Sequence, residues 1–286
     1  MTARVISIPP DEAVYYEQTS SMLADRLAQL DNIEDILRIE LSISFQFLVR
    51  AVRAKDRSRF PFPKSQWIAA TFDCLSERDA FEYLVPLAGK RVLQIGGNGF
   101  SAILMLLAGA GDGCLLTPII GEARIGRELA RLAGVRLQTE VGMAEHMPFP
   151  DESFDAIHSS GCAHHFQTEI AFPEISRVLR KGGRFSATDP WRGPLYSWGI
   201  RTFGKREPVN CRPFTNERVA PLQLSFREYS VIQHGTFTRY PMLALQKLGF
   251  AAPLELAWRL MQIDDAVSSL TGLRSWGSSV AILATK

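Results

Sequence analysis

Apolar and polar positions along the chain predict a short buried strand followed directly by an apolar helix. Residues 91–95 form a mostly apolar run with the length and β-branched content typical of a strand buried in a parallel sheet. A glycine-rich stretch, 96–99, separates this run from 100–108, where almost no polar side chain interrupts a predicted helix. A strand, a tight glycine turn and a helix in this order form the first half of a nucleotide-binding βαβ unit.

The alternation of strand and helix patterns continues to about residue 188. Elements that alternate at this spacing indicate a mostly parallel sheet with right-handed crossovers and helices on both faces. Ligands bind such sheets beyond the carboxyl ends of the strands, so the loops at those ends should line one cleft. The predicted strands are 91–95, 114–117, 135–141, 154–160 and 184–188, and the predicted helices between them are 100–108, 122–133 and 168–179. The cleft loops follow Ile95, Thr117, Val141, Ser160 and Thr188.

The rest of the chain extends this unit in both directions. Residues 1–88 carry helical patterns only, which predicts an N-terminal helical segment packed on an α/β domain of residues 89–286. Aromatic, proline and basic residues over about 191–240 predict a long irregular lid. The chain is therefore predicted to be an α/β protein with a doubly wound, mostly parallel sheet of seven strands. The remaining predicted elements are helices 11–30, 32–54, 64–87 and 241–248, and a closing hairpin of strands 252–260 and 278–285.

Composition restricts the class of protein without identifying a function. A chain of 286 residues with 46% hydrophobic content can bury the core of one large domain. The net charge of +2 excludes a general nucleic-acid binder, which needs a strongly basic face. The four cysteines are far apart and show no metal-ligand spacing, so we expect reduced thiols and no metal site. The first residues contain no apolar signal core, and we therefore expect a cytoplasmic protein.

One stretch suggests contact with an acidic partner. The apolar residues 41–49 are followed by residues 50–64, in which basic side chains greatly outnumber acidic ones. This arrangement could lie against an anionic membrane surface, bind an acidic substrate, or form the solvated end of a buried helix. A peripheral membrane enzyme acting on a lipid or isoprenoid substrate is therefore one hypothesis.

Three sequence motifs lie within about residues 90–191. They read VLQIGGNG, VGMAEHMPFPDESFDAIHSSGCAHHF and EISRVLRKGGRFSATDPWRGPLY. In order and spacing they resemble the motifs of class I S-adenosylmethionine-dependent methyltransferases, and within that superfamily the group that methylates small molecules such as quinones. The resemblance implies a Rossmann-like methyltransferase fold, S-adenosylmethionine as cofactor and a small-molecule acceptor.

The resemblance also implies a set of cofactor contacts, several of which carry unusual residues. The family has acids at the ends of the first two strands and in the third loop. Here the matching residues are Gln94, then Pro118 or its neighbour Thr117, and then Met143. Each charged hydrogen-bond acceptor lost costs about 1.5–3 kcal/mol. Asn98 is expected to adopt the left-handed conformation of the glycine it replaces, and Phe100 to bring bulk into the loop. The implied cofactor-binding residues are Gln94, Gly96, Gly97, Asn98, Gly99, Pro118, Met143 and Ala144.

Candidate catalytic and substrate-binding residues follow the fourth and fifth strands. His164 or His165 could act as a base near neutral pH, or could cap the next helix and pack. Asp189 stands at the end of a strand, where it could face the substrate or cap a loop. The predicted lid adds three residues that could bind an aromatic or anionic substrate, or anchor the lid to the core. These residues are Trp191, Arg192 and Tyr196.

Two functional hypotheses compete. The first is an S-adenosylmethionine-dependent methyltransferase that acts on a small-molecule acceptor. The second is a methyltransferase-fold protein that has lost the usual cofactor binding and serves as a non-methylating enzyme or a ligand-binding protein. Replacement of the acidic positions favours the second hypothesis, whereas the intact glycine loop favours a ligand site.

Overall fold

A seven-stranded sheet lies at the centre of the fold. The computed structural model of the chain describes residues 9–39, 48–49, 52–53, 74–203, 212–248 and 254–286. The strands are β1 (Arg91–Ile95), β2 (Asp112–Thr117), β3 (Gln138–Val141), β4 (Phe154–Ser160), β5 (Leu179–Pro190), β6 (Glu228–His234) and β7 (Ser279–Thr285). Their order is β3-β2-β1-β4-β5-β7-β6, and β7 runs antiparallel to both neighbours while the other pairs are parallel. The predicted doubly wound α/β architecture, with a mostly parallel sheet of seven strands, is confirmed.

Helices flank this sheet and build one apolar core against each face. Val92 and Leu93 are adjacent in β1, and their side chains enter opposite cores because strand residues alternate between faces. The helices are α1 (Pro10–Ala28), α2 (Ile36–Ile39), α3 (Cys74–Leu84), α4 (Phe100–Leu107), α5 (Ile120–Ala133), α6 (Thr168–Val178), α7 (Tyr196–Phe203), α8 (Asn216–Val219), α9 (Leu222–Ser225), α10 (Arg239–Lys247) and α11 (Leu254–Leu270). Most of the predicted strand and helix positions between residues 90 and 188 agree with these bounds.

The closing hairpin differs from the prediction. Residues 254–260, predicted as part of a strand, belong to α11, where Ala257, Trp258 and Met261 are buried on one side. A short apolar run does not separate a buried strand from a buried helix, and the helical spacing becomes visible only over its full length. The strand that pairs with β7 is instead β6.

The segment predicted as a lid is not an irregular insertion. Residues 191–240 contain α7, α8 and α9 and the whole of β6, which is the edge strand of the sheet. The first three residues of β6 are exposed, and an edge strand of this kind lacks the apolar run of a central strand. The strand β6 was therefore not predicted, because its sequence lacks the apolar pattern of a central strand.

Helix α1 is held against α5 by specific contacts. Glu17 accepts a hydrogen bond from the backbone N–H of Gly121 at 3.1 Å. Near the other end of α5, the guanidinium of Arg131 donates to the carbonyl oxygens of Leu27 and Leu30. These bonds hold α1 along α5, with the amino-terminal half of α1 beside the start of α5.

Some predictions fall outside the described residues. Most of the apolar and basic stretch 41–64 lies there, as do parts of the predicted helices 32–54 and 64–87. Among the helices that the structure does describe, none has the length and apolar character needed to cross a bilayer.

Candidate active site

A cavity of about 330 Å³ opens at the carboxyl edge of β1, β2 and β4, below the amino end of α1. This volume lies within the range of about 300–1,000 Å³ found for small-molecule sites. The cavity occupies the cleft that the strand order predicts. Its described wall consists of Pro9, Glu12, Tyr16, Ile95, Gly96, Gly97, Leu116, Pro118, Ile119, Glu122, Gly142, Met143, Ala144, Glu145, Gly161, Cys162, His165, Phe166 and Arg212.

The glycine loop forms one side of this cavity. Gly96 has φ +78°, and a Cβ at this position would lie 2.6 Å from the Cβ of Cys162 and 2.8 Å from its Sγ. Only glycine therefore fits here without displacing the loop that follows β4. Gly97 is the neighbouring wall residue, and its backbone N–H lowers the pKa of the Glu122 carboxyl group.

Gln94 lies beneath this loop rather than on the cavity wall. Its side chain is 3% exposed; Nε2 donates to the carbonyl oxygen of Gly96, and Oε1 accepts from the N–H of Ala102, each at 2.8 Å. Both ends of the amide are therefore engaged inside the protein. Gln94 joins the end of β1 to the loop and to α4, which leaves cofactor contact to other residues.

The loop conformation differs from the prediction at Asn98. Positive φ angles occur at Gly96, Gly97 and Gly99 but not at Asn98, so the expected left-handed conformation of Asn98 is wrong. Its Oδ1 instead accepts from the N–H of Phe100 at 3.3 Å, at the start of α4. Phe100 packs against the core that contains α4 and is absent from the cavity wall. The expected obstruction of the loop by this side chain does not occur.

Two carboxylates reach the cavity from positions that the motif comparison did not assign. Glu122, in the first turn of α5, accepts from the hydroxyl of Thr117 at 2.5 Å. Burial raises the pKa of Glu122, while the bond from Thr117 acts in the opposite direction. Glu12, on α1, is 1% exposed, and its Oε1 lies 3.3 Å from Nδ1 of His165.

The described wall of the cavity is mostly apolar, and among its charged groups the carboxylates outnumber the one guanidinium. Glu12, Glu122 and Glu145 contribute carboxyl groups, whereas Arg212 contributes a guanidinium. Arg212 is committed to the backbone, because it donates to the carbonyl oxygens of His165 and Phe166. Glu145 is also engaged, since it accepts from the N–H of Gln167 at 2.8 Å. The arrangement favours a ligand that carries positive charge.

The three predicted catalytic residues lie next to one another, but only His165 lines the cavity. Asp189 is 2% exposed, and its Oδ1 lies 2.7 Å from Nδ1 of His164 and 3.1 Å from the backbone nitrogen of that residue. Burial raises the pKa of Asp189, and the contact with His164 opposes this change. The rings of His164 and His165 are 4.0 Å apart. Burial, followed by the charges of His164 and two nearby arginines, lowers the pKa of His165 to about 3, so its imidazole is neutral near pH 7.

The predicted substrate-binding residues do not line the cavity. Trp191 is buried in the core, and its Nε1 donates to the carbonyl oxygen of Ser275 at 3.2 Å. Arg192 is exposed, and Tyr196 begins α7. The sequence allowed Trp191 either to bind substrate or to anchor the predicted lid to the core. Its burial fits the anchoring role, because a large apolar ring contributes most to stability where it is fully buried.

Several wall residues were not predicted from the sequence. Glu12 and Tyr16 come from α1, far ahead of the motifs in the chain, and Arg212 comes from the predicted lid. No local pattern marks these three residues. Cys162 and Glu122 lie in or just after two of the five predicted cleft loops. They could therefore have been found from the general rule that ligands bind beyond the carboxyl ends of parallel strands.

Comparison with known proteins agrees with this geometry. Residues 90–187 match the family described as "Methyltransferase domain". An uncharacterised methyltransferase of Mycobacterium tuberculosis is 28% identical over 188 residues, which cover 62% of this chain and 68% of that protein. The ubiquinone/menaquinone biosynthesis C-methyltransferase UbiE of Bordetella parapertussis is 29% identical over 49% of this chain and 54% of its own length.

A solved structure has the same fold at low sequence identity. The geranyl diphosphate C-methyltransferase from Streptomyces coelicolor, in complex with S-adenosyl-L-homocysteine, superposes with a TM-score of 0.53 at 16% identity, covering 78% of this chain and 83% of that one. Its likeness concerns the fold alone. Together, the domain matched by residues 90–187 and the similarity to curated methyltransferases support the class I S-adenosylmethionine-dependent methyltransferase superfamily.

Proposed function

We propose that this protein is an S-adenosylmethionine-dependent methyltransferase that acts on a small-molecule acceptor. The observation that carries the proposal is the open cavity beside the glycine loop, whose mostly apolar wall carries three carboxyl groups and which the side chain of Phe100 does not fill. S-adenosylmethionine carries a sulfonium and an ammonium group, so its charge complements that wall.

Wall residues of three kinds suit the parts of this cofactor. Gly96 and Gly97 allow the backbone to approach a ligand closely, because no Cβ intervenes. Leu116, Met143 and Ala144 offer an apolar surface for the adenine ring. Pro118 is also a proposed contact, although it has no polar side-chain atom. Gln94, Asn98 and Gly99 then act indirectly, by setting the loop conformation.

The bound cofactor would supply an electrophilic methyl group. The chain itself would align the acceptor, exclude water and accept a proton from the acceptor where the chemistry requires it. His165 is the proposed proton acceptor because it lies on the cavity wall, where the carboxylate of Glu12, 3.3 Å from its Nδ1, would stabilise the protonated ring. His164 and Asp189 are positioning residues in this scheme, since Asp189 orients His164 and the ring of His164 lies against His165.

Calorimetric titration with S-adenosylmethionine and S-adenosylhomocysteine tests the proposal. We expect saturable binding of both ligands, together with a rise in the unfolding temperature. A His165→Gln variant should keep this affinity and lose about 10²-fold or more in methyl transfer to an acceptor that must release a proton. Absence of heat and of a thermal shift with either ligand at millimolar concentration would reject the methyltransferase assignment and favour a non-methylating or ligand-binding protein.

A further inference from the structure

We propose that the acceptor is an apolar molecule with one acidic group, a carboxylate or a phosphate, which the guanidinium of Arg212 binds at the mouth of the cavity. This inference rests on the proposed function and names the class of acceptor that the same site takes. The proposed cofactor contacts lie between the glycine loop and Met143. They leave the part of the wall that contains Tyr16, His165, Phe166 and Arg212 for the acceptor.

The backbone holds the guanidinium of Arg212 in place at this part of the wall. Its Nη2 donates to the carbonyl oxygens of His165 and Phe166, which are both wall residues. The carbonyl oxygen of Arg212 in turn accepts from Nη1 of Arg218, whose guanidinium lies 4.8 Å from the ring centroid of Phe214. The side chain of Arg212 is therefore oriented before a ligand arrives, which reduces the entropy lost on binding.

This orientation leaves donors for a ligand, although Nη2 is committed to the backbone. A guanidinium carries five N–H groups, and those on Nε and Nη1 are not used by the two carbonyl oxygens. Among the contacts of the described residues, Nε and Nη1 of Arg212 have no acceptor and no carboxylate pairs with this guanidinium. Charge-assisted hydrogen bonds to a carboxylate or phosphate are about twice as strong as neutral ones, so an acidic group is the partner that suits these donors.

Two arginines place positive charge on this side of the cavity. Besides burial, the charges of His164, Arg212 and Arg218 lower the pKa of His165. The carboxylate of Glu12 lies on the imidazole side of His165, 3.3 Å from Nδ1, whereas Arg212 lies at the carbonyl oxygen of that residue. An acidic group bound to Arg212 would offset part of the positive charge, so the proposed base would become more basic when the acceptor binds.

The neighbouring wall is apolar and aromatic. Pro9 precedes α1, Tyr16 lies on that helix, and Phe166 follows His165. The ring of Tyr16 meets the ring of His165 edge to face, with 6.5 Å between the centroids. A wall of this kind favours an apolar or aromatic body, while a charged side chain at the rim fixes the orientation of the ligand.

Three probes that differ in the group attached to a benzene ring test the proposal. Benzoate and phenyl phosphate carry an acidic group, whereas benzamide has nearly the shape of benzoate without its charge. With S-adenosylhomocysteine at saturation, we expect NMR titration of wild-type protein to show binding of at least one acid about tenfold more tightly than benzamide. Arg212→Gln should reduce this preference to about twofold or less, and Arg212→Lys should retain part of it. Arg227→Gln is the matched control, because Arg227 is exposed and pairs with Glu228 at the opposite edge of the sheet, and it should leave the preference unchanged.

The ratio of acid affinity to benzamide affinity in each variant is the decisive quantity. A partly unfolded sample lowers all apparent affinities together, so the ratio remains informative even if a variant is less stable. Tighter binding of phenyl phosphate would assign a phosphorylated acceptor, and tighter binding of benzoate a carboxylate. If wild-type protein binds S-adenosylhomocysteine but prefers neither acid, or if Arg212→Gln keeps the preference, the role of Arg212 is refuted while the proposed function stands. If wild-type protein does not bind S-adenosylhomocysteine, the proposed function fails, and the acceptor class that rests on it fails as well.

Discussion

Replacing Gly96 by alanine tests the contact between the glycine loop and the loop after β4. The substitution places a residue with a Cβ at φ +78°, which costs about 1–2 kcal/mol for the left-handed conformation. The new Cβ would also lie 2.6 Å and 2.8 Å from the Cβ and Sγ of Cys162, and overpacking of this kind adds about 1–3 kcal/mol. We therefore expect the free energy of unfolding to fall by about 2–5 kcal/mol, measured by urea denaturation.

Two further variants divide this loss into its parts. Gly134→Ala is a matched control because Gly134 has φ +67° and a Cβ added there would meet no atom within 4 Å, so it should lose only about 1–2 kcal/mol. Adding Cys162→Gly to Gly96→Ala should recover about 1–3 kcal/mol beyond additivity, because it removes both clashing atoms. If Gly96→Ala costs no more than Gly134→Ala, the two loops are not in the described contact.

Three other substitutions probe separate features. Nδ1 and Nε2 of His234 lie 2.8 Å and 2.9 Å from carboxylates of Asp265 and Asp79, and burial opposes but does not outweigh these partners, so the pKa of His234 is raised. At pH values below 6.5, the ordinary pKa of histidine, His234→Gln should lower the free energy of unfolding by about 2–3 kcal/mol. This difference from wild type should shrink as the pH rises through the raised pKa of His234 in the folded protein. A difference that stays constant from about pH 5.5 to pH 9 would contradict the charge pairing. Gln94→Glu loses the N–H group that donates to the carbonyl oxygen of Gly96, and should lower the free energy of unfolding by about 1–3 kcal/mol in the same denaturation assay. Unchanged stability would contradict the role of Gln94 in joining β1 to the glycine loop. Trp191→Phe should lower the unfolding temperature but leave affinity for S-adenosylhomocysteine unchanged, and loss of affinity at retained stability would return Trp191 to the binding site.

The parallel part of the fold could be predicted because its signals are local. β1 and β4 are buried on both faces, and β1 is mostly apolar, so strand and turn patterns identify them. The errors lie where burial depends on distant elements. α11 buries one side against the rest of the chain, and β6 is an edge strand whose partner, β7, follows only after two further helices. Neither relation is encoded in a short window.

The candidate site was predictable to a similar degree. The loops after Ile95, Thr117, Val141 and Ser160 line the cavity as predicted, with Gly96 and Met143 on its wall, whereas the loop after Thr188 contributes no residue to the described wall. The side chain of Gln94 could have faced either the ligand or the loop, and only the position of Ala102 in α4 decides between these orientations. Glu12 reaches the cavity because α1 docks on α5, a tertiary contact that no motif records.

A crystal structure of the protein grown with S-adenosylhomocysteine tests the central claim most directly. The account predicts adenosine density in the cavity, between the glycine loop at Gly96 and Gly97 and the side chain of Met143. Density for the ligand elsewhere, or a cavity that remains empty at saturating ligand, would contradict it.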